Sequence, residues 1–149
     1  MSSLKIDQIY TGCLAQGAYY ITSGGEAAII DPLRETQPYT DRLAKDGVKL
    51  KYIFETHFHA DFVSGHIDLA KVTGAPIVYG PGAKTNYTVV SANDGETFQI
   101  GDIYLGVIFW DDASDSNSND METQVVGVTI FHNVQDLQQQ WIRADNQDE

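Results

Sequence analysis

The apolar run Ala27-Ala28-Ile29-Ile30, stopped by Asp31-Pro32, constrains the fold of this chain more than any other feature. Four apolar residues in a row, without alternation, read as a strand buried on both faces, which is the mark of a sheet covered by helices. The residues that follow supply those helices. Pro38 to Asp46 carries Tyr39 and Leu43 at i, i+4 and is closed by Gly47, which predicts a helix. Val48 to Glu55 returns to strand. A second helix is expected from Phe62 to about Val72, with Ile67, Leu69, Ala70 and Val72 as its apolar content and Gly74 as its stop. Ala75 to Tyr79 is a further strand. Strand, helix, strand, helix, strand points to an α/β fold. Before this unit, Leu4 to Tyr10 alternates as a strand does, and Ala18 to Thr22 turns through Gly24-Gly25 into Ala27. After it, Thr85 to Val90, Thr97 to Ile100 and Asp102 to Phe109 are expected strands beyond the Gly80-Pro81-Gly82 loop.

With 149 residues, 42% hydrophobic and 20% charged, the composition predicts one soluble globular domain. The formal net charge of -12, from 21 acidic and 9 basic residues, argues against a nucleic-acid backbone or an anionic membrane face as partner. From Trp110 onward there are nine acidic residues against Arg143 alone, so that stretch carries -8 of the total. Within it, Asp111 to Asp120 reads DDASDSNSND, a linker or solvated loop. Val125 to Phe131 then reads as a strand, and Val134 to Ala144 as a helix. This tail is expected either to begin another domain or to dock as an extra strand on the main sheet. The organisation expected is therefore a domain over 1–109, an acidic linker over 110–122 and a divergent strand-helix tail over 123–149. Cys13 is the single cysteine, which rules out an intrachain disulfide and fits a reducing compartment. MSSLKIDQIY lacks the charged start and apolar stretch of a signal peptide, and no apolar run reaches the roughly 18 residues of a membrane helix. The expectation is a cytoplasmic protein.

The chemistry is named by Thr56 to His66, THFHADFVSGH, directly after the apolar Tyr52-Ile53-Phe54. His57, His59 and Asp61 occupy alternate positions, and alternate residues of an extended segment point the same way. Two imidazoles and a carboxylate suit zinc and iron(II). His57, His59 and Asp61 are thus the candidate metal ligands, and Asp61 is also the candidate catalytic carboxylate. Asp61 is equally placed to cap a helix starting at Phe62.

This stretch resembles the metallo-β-lactamase superfamily, whose members carry a His-x-His-x-Asp-His signature on a strand-to-helix turn. Glu26 to Pro32, EAAIIDP, is similar to the family strand that ends at an aspartate supporting the metal site, and Asn93 to Asp102, NDGETFQIGD, to a later turn and strand. ETHFHADFVSGH followed by a small-residue helix and IVYGP is most similar to persulfide dioxygenases of the rhodanese-fused type. The likeness runs from about Lys5 to about Ile108. It implies an αββα sandwich, present here as its N-terminal half with a divergent acidic tail. It implies an enzyme that oxidises a glutathione-type persulfide with dioxygen at one iron(II). Such enzymes take one ligand from the motif's first histidine, here His57. His59, Asp61 and Ser64 would then orient ligands.

The chain departs from the family pattern twice. Phe62 stands where two-zinc hydrolases of the superfamily place a histidine, which disfavours a dinuclear site. Phe109-Trp110-Asp111-Asp112-Ala113 stands where a His-Thr-Pro-Gly-His ligand loop is expected. The one downstream histidine is His132, and its neighbours do not match that loop. An inactive remnant or interaction module, and a zinc-dependent hydrolase, are accordingly the alternatives. His66, beyond the motif, is expected to point away from it in a structural role. Asp31 is expected either to hydrogen-bond the metal loop or simply to start an Asp-Pro turn. If half of the sandwich is missing, one sheet face lacks its covering layer and would favour a homodimer.

Overall fold

The computed structural model describes residues 4–11, 16–56, 64–81, 85–111, 124–131 and 140–142. Six strands form the first sheet: β1 (Lys5–Thr11), β2 (Gln16–Ser23), β3 (Glu26–Ile30), β4 (Lys49–Phe54), β5 (Ile77–Tyr79) and β6 (Val90–Ser91). They pair in sequence order, antiparallel from β1 to β3 and parallel from β3 to β6. The change of sense follows from the connections. Gly24 and Gly25, both at positive φ, make the tight turn an antiparallel pair needs. The two parallel crossovers from β3 to β5 carry α1 (Gln37–Asp46) and α2 (His66–Thr73).

Both helices end at a glycine in the left-handed region, Gly47 and Gly74, as the sequence predicts. Tyr39 and Leu43 of α1 and Leu69 of α2 pack on one face of the sheet against Ala18, Tyr20, Ala27, Ile29, Leu50 and Ile53. Strand β3 is buried on both faces, since Ala28 and Ile30 face the opposite way into a second cluster. That cluster lies against the second sheet, built from β7 (Thr97–Ile100), β8 (Ile103–Asp111), β9 (Gln124–Phe131) and β10 (Gln140–Ile142) in the order β10-β9-β8-β7, antiparallel throughout. Phe98, Ile100, Ile103, Leu105, Val107, Val128 and Ile130 meet Ile21, Ala28, Ile30, Phe54 and Val78 there. Phe98 packs edge-on against both Tyr52 and Phe54, at 5.1 and 5.5 Å between ring centres. The layers are thus helices, mixed sheet, antiparallel sheet. On the outward face of the second sheet, by alternation, Tyr104 and Ile108 are half-buried and Thr129 is buried.

Three expectations are corrected. Helix α2 begins at His66 rather than Phe62, because Ser64 forms a β-bridge with Leu33 and Gly65 occupies the cap. Of the strand expected over 85–90 only Val90 joins the sheet. The Thr85 hydroxyl donates to the Tyr87 carbonyl at 2.7 Å, a local turn that competes with strand pairing. Gln140–Ile142 lies within the expected helix over 134–144 but forms β10, because the open edge of β9 offers it a ladder and tertiary pairing overrides local preference. Val125 to Phe131 is a strand, as expected, and pairs along β8 from Tyr104 to Trp110.

The two sheets are also tied by a charge. Glu26 accepts from the Gly101 backbone N–H at 2.7 Å and pairs with Lys51 at 3.2 Å. The Gly101 bond, and then Lys51, hold its carboxyl below the usual range. A carboxyl with a depressed folded pKa stabilises fully above its unfolded value and loses that contribution as pH falls through the folded one. Glu26→Gln is therefore expected to flatten the fall of melting temperature between about pH 5 and pH 3. Parallel melts of wild type and variant check this, and identical acid limbs would refute it.

Candidate functional site

The site is organised by two chain ends that meet. β3 stops at Asp31, which takes a left-handed conformation (φ 51), unusual for a residue with a side chain. That turn directs its buried carboxylate at Thr56, two residues past the end of the neighbouring parallel strand. Thr56 donates its backbone N–H to Asp31 Oδ1 at 2.9 Å and its hydroxyl to Oδ2. Asp31 N in turn donates to the Phe54 carbonyl. Of its two expected roles, Asp31 performs the first: it holds the start of the His57–Asp61 segment.

Ser64, the first described residue after that segment, lies at the same place. Ser64 Oγ lies 3.1 Å from the Pro32 carbonyl and 2.7 Å from Glu55 Oε1, both acceptors for its hydroxyl. Gly65 N donates to the Pro32 carbonyl at 3.0 Å. Tyr39, reaching from α1, accepts the Leu33 N–H at 2.8 Å and fixes the Asp31–Leu33 turn from behind. Burial pushes the Tyr39 phenol up, against the pull of that N–H, so it stays neutral. Thr56 and Ser64 are thus clamped to one three-residue turn at the ends of two parallel strands. Ligands of open α/β sheets bind at such strand ends.

Glu55 is 2% exposed, although it stands one residue before Thr56. It is buried because the ladder continues through it: its N–H donates to the Val78 carbonyl of β5 at 3.0 Å. Its Oε1 also lies 3.4 Å from His66 Nδ1. His66 Nε2 is 2.8 Å from the Tyr87 hydroxyl, which is 2.9 Å from the Tyr79 hydroxyl. Burial raises the pKa of both phenols, aided at Tyr79 by the Tyr87 hydrogen bond and at both by the nearby Glu55 charge.

His57, His59, Asp61 and Phe62 lie outside the described residues, as do Cys13, His132 and the Asp112–Asp120 part of the acidic stretch. Among the described residues no three His, Cys, Asp or Glu side chains converge as a metal cage. The donor set of the motif still fits a metal. Its two imidazoles and a carboxylate lie within the seven residues 57–63, whose flanks are brought to one point and braced by two buried carboxylates. His66 corrects the sequence reading. It does not point away from the motif but joins Glu55 beside its closing residue. Glu55, Tyr79 and Tyr87 carried no signal in the sequence beyond one, a charged residue directly continuing the apolar Tyr52-Ile53-Phe54. No helix among the described residues is long and apolar enough to cross a membrane.

The hydroxyacylglutathione hydrolase of Tolumonas auensis is 38% identical over 63 residues, which is 42% of this chain and 24% of that protein. The metallo-beta-lactamase of Staphylococcus aureus subsp. aureus COL superposes with a TM-score of 0.72 at 24% identity, covering 87% of this chain and 39% of that one. ETHE1 from Myxococcus xanthus gives 0.69 at 20% identity, over 85% of this chain and 53% of that one. The chain thus spans 24% of that hydrolase and 39% and 53% of the two structures. A family model of the Metallo-beta-lactamase superfamily matches residues 11–138, well past Ile108 where the recognisable motifs stop. With the strand-end clamp and the layered sheets, that match establishes that this chain belongs to the metallo-beta-lactamase superfamily.

Proposed function

We propose that this chain carries the metal loop of an enzyme that oxidises a low-molecular-weight thiol persulfide, of the glutathione type, with dioxygen. The observation that carries this reading is Phe62. A phenyl ring cannot ligate, so the position that would hold a second zinc is lost, which leaves His57 as the motif's ligand to one metal, with His59 and Asp61 to orient ligands. A single iron(II), if held by His57 and further ligands, would supply the redox chemistry for a sulfur anion and dioxygen. The chain's own contribution is to hold the loop. Asp31 and Glu55 keep the residues flanking it on one turn, and neutral Tyr79 and Tyr87 hydrogen-bond behind His66. The net charge of -12 sets this protein apart from binders of nucleic acid or anionic membranes. With no histidine at 109–113, further ligands would come from His132, the acidic stretch or a second copy of the chain.

A second reading, cleavage of an acylglutathione thioester, is supported by the hydroxyacylglutathione hydrolase relative, and two imidazoles with a carboxylate suit zinc for it. Metal content separates the two. Protein purified anaerobically with both metals supplied is expected to hold close to one iron per chain and to consume oxygen with glutathione persulfide. One zinc per chain, with thioester cleavage that needs no oxygen, would replace the first reading by the second. Negligible metal would overturn both for this chain and leave an interaction module built on the family fold.

A further inference from the structure

Stability alone does not explain the polar chain behind the metal loop. Glu55 is 2% exposed, and a buried carboxylate is costly unless it is paired and hydrogen-bonded. An apolar residue of similar size would serve packing at least as well. Instead, polar groups from separate parts of the fold are strung together. Ser64 Oγ and His66 Nδ1 both face Glu55 Oε1, at 2.7 and 3.4 Å. His66 Nε2, Tyr87 Oη and Tyr79 Oη continue the string at 2.8 and 2.9 Å. The 3.4 Å approach of His66 Nδ1 to Glu55 is an ion-pair-range contact; with Nε2 as acceptor the ring takes the Tyr87 O–H, and the Tyr87 oxygen then accepts from Tyr79. Neutral phenols suit that direction. The string starts at Ser64 and Glu55, passes through Tyr87 in the 85–91 segment and ends at Tyr79 on β5.

We propose that His66 and Tyr87 are positioning residues of the metal loop, acting through Glu55 and Ser64. Their string, hydrogen bonds joined to Glu55 by the His66 ion-pair-range contact, holds the loop's closing residue in register with the residue before its opening one. The inference rests on the metal-binding reading above for its purpose, and on the described geometry for its existence. Neither residue is a ligand. Each acts by fixing Glu55, which touches Ser64 directly.

Two conservative variants test it on the full chain. His66→Asn keeps a polar group near Glu55 and gives up Tyr87, and Tyr87→Phe deletes one oxygen. In metal-free protein, both are expected to speed amide hydrogen exchange at Thr56 and Gly65 several-fold, with β1–β2 amides unchanged. Cobalt(II), added alone, is expected to bind about tenfold more weakly to each, as loss of a ligand-orienting partner usually entails. Its visible absorption band should shift. Because both variants cut the same string, the double variant is expected to be no worse than either single one. Wild-type exchange in both variants, or effects that simply add in the double variant, would overturn the proposal. Should wild type take up no cobalt, the metal reading fails while the exchange result still decides the positioning role. If His66→Asn does not fold, Tyr87→Phe carries the test.

Discussion

Asp31→Ala is expected to destabilise this protein by about 4 kcal/mol, from two lost hydrogen bonds to a charged acceptor and an alanine forced into the left-handed region. The carboxylate is 4% exposed and accepts both the N–H and the hydroxyl of Thr56, so its removal strands two buried donors. At φ 51 an alanine adds strain that glycine would not. For a chain of this size the loss corresponds to a drop of about 10 °C in melting temperature. Asparagine separates the contributions. It retains an oxygen for the Thr56 N–H and tolerates positive φ, but offers no second acceptor, so Asp31→Asn is expected to cost about 1–2 kcal/mol. Asp31→Gly relieves the strain and loses both bonds, and should fall between the two. Urea midpoints at constant m check the order. An alanine variant as stable as the asparagine one would show that the clamp on Thr56 contributes nothing.

The strands and helices behind this clamp are legible because each has a local cause. The unbroken apolar run of β3, the i, i+4 pair in α1 and the closing glycines all act within a few residues. The clamp is not legible because it joins residues across 25 positions, as with Asp31 and Thr56, or 21, as with His66 and Tyr87. His66 shows how one boundary error propagates. If α2 began at Phe62, His66 would be its fifth residue and face outward along the helix. It is instead the first, and side chains of a helix tilt toward its N-terminus, so the imidazole leans back over Ser64 and Glu55. Ser64 missed the helix because its hydroxyl and backbone were taken by the Asp31–Leu33 turn. Periodicity carries no trace of that competition. The same holds for β10: three residues read as helix until a neighbouring strand edge offers them partners.

Gly65→Ala is expected to cost about 2–3 kcal/mol, the upper range for forcing added volume into a packed site. Conformational freedom is not the cause, since Gly65 has φ -87, which any residue adopts. Close contact is. A Cβ there would sit 2.0 Å from the Leu33 carbonyl oxygen and 2.9 Å from its carbon, both backbone atoms that cannot swing aside. The turn would have to retreat, and with it the Gly65 to Pro32 hydrogen bond and the Leu33–Ser64 bridge. Gly74 provides the contrast at the other end of the same helix. It has φ 76 and nothing within 4 Å of where a Cβ would stand, so Gly74→Ala should cost only the left-handed strain, about 1–2 kcal/mol. The two variants also part in where they act. Gly74→Ala frays the end of α2, whereas Gly65→Ala pulls Ser64 from Glu55 and opens the hinge of the loop that carries His57, His59 and Asp61. Zinc affinity, measured by competition with a chelator, should therefore fall at least about tenfold in Gly65→Ala and stay near wild type in Gly74→Ala. Equal metal affinity in the two would mean that the hinge does not control the loop, however close the backbones lie.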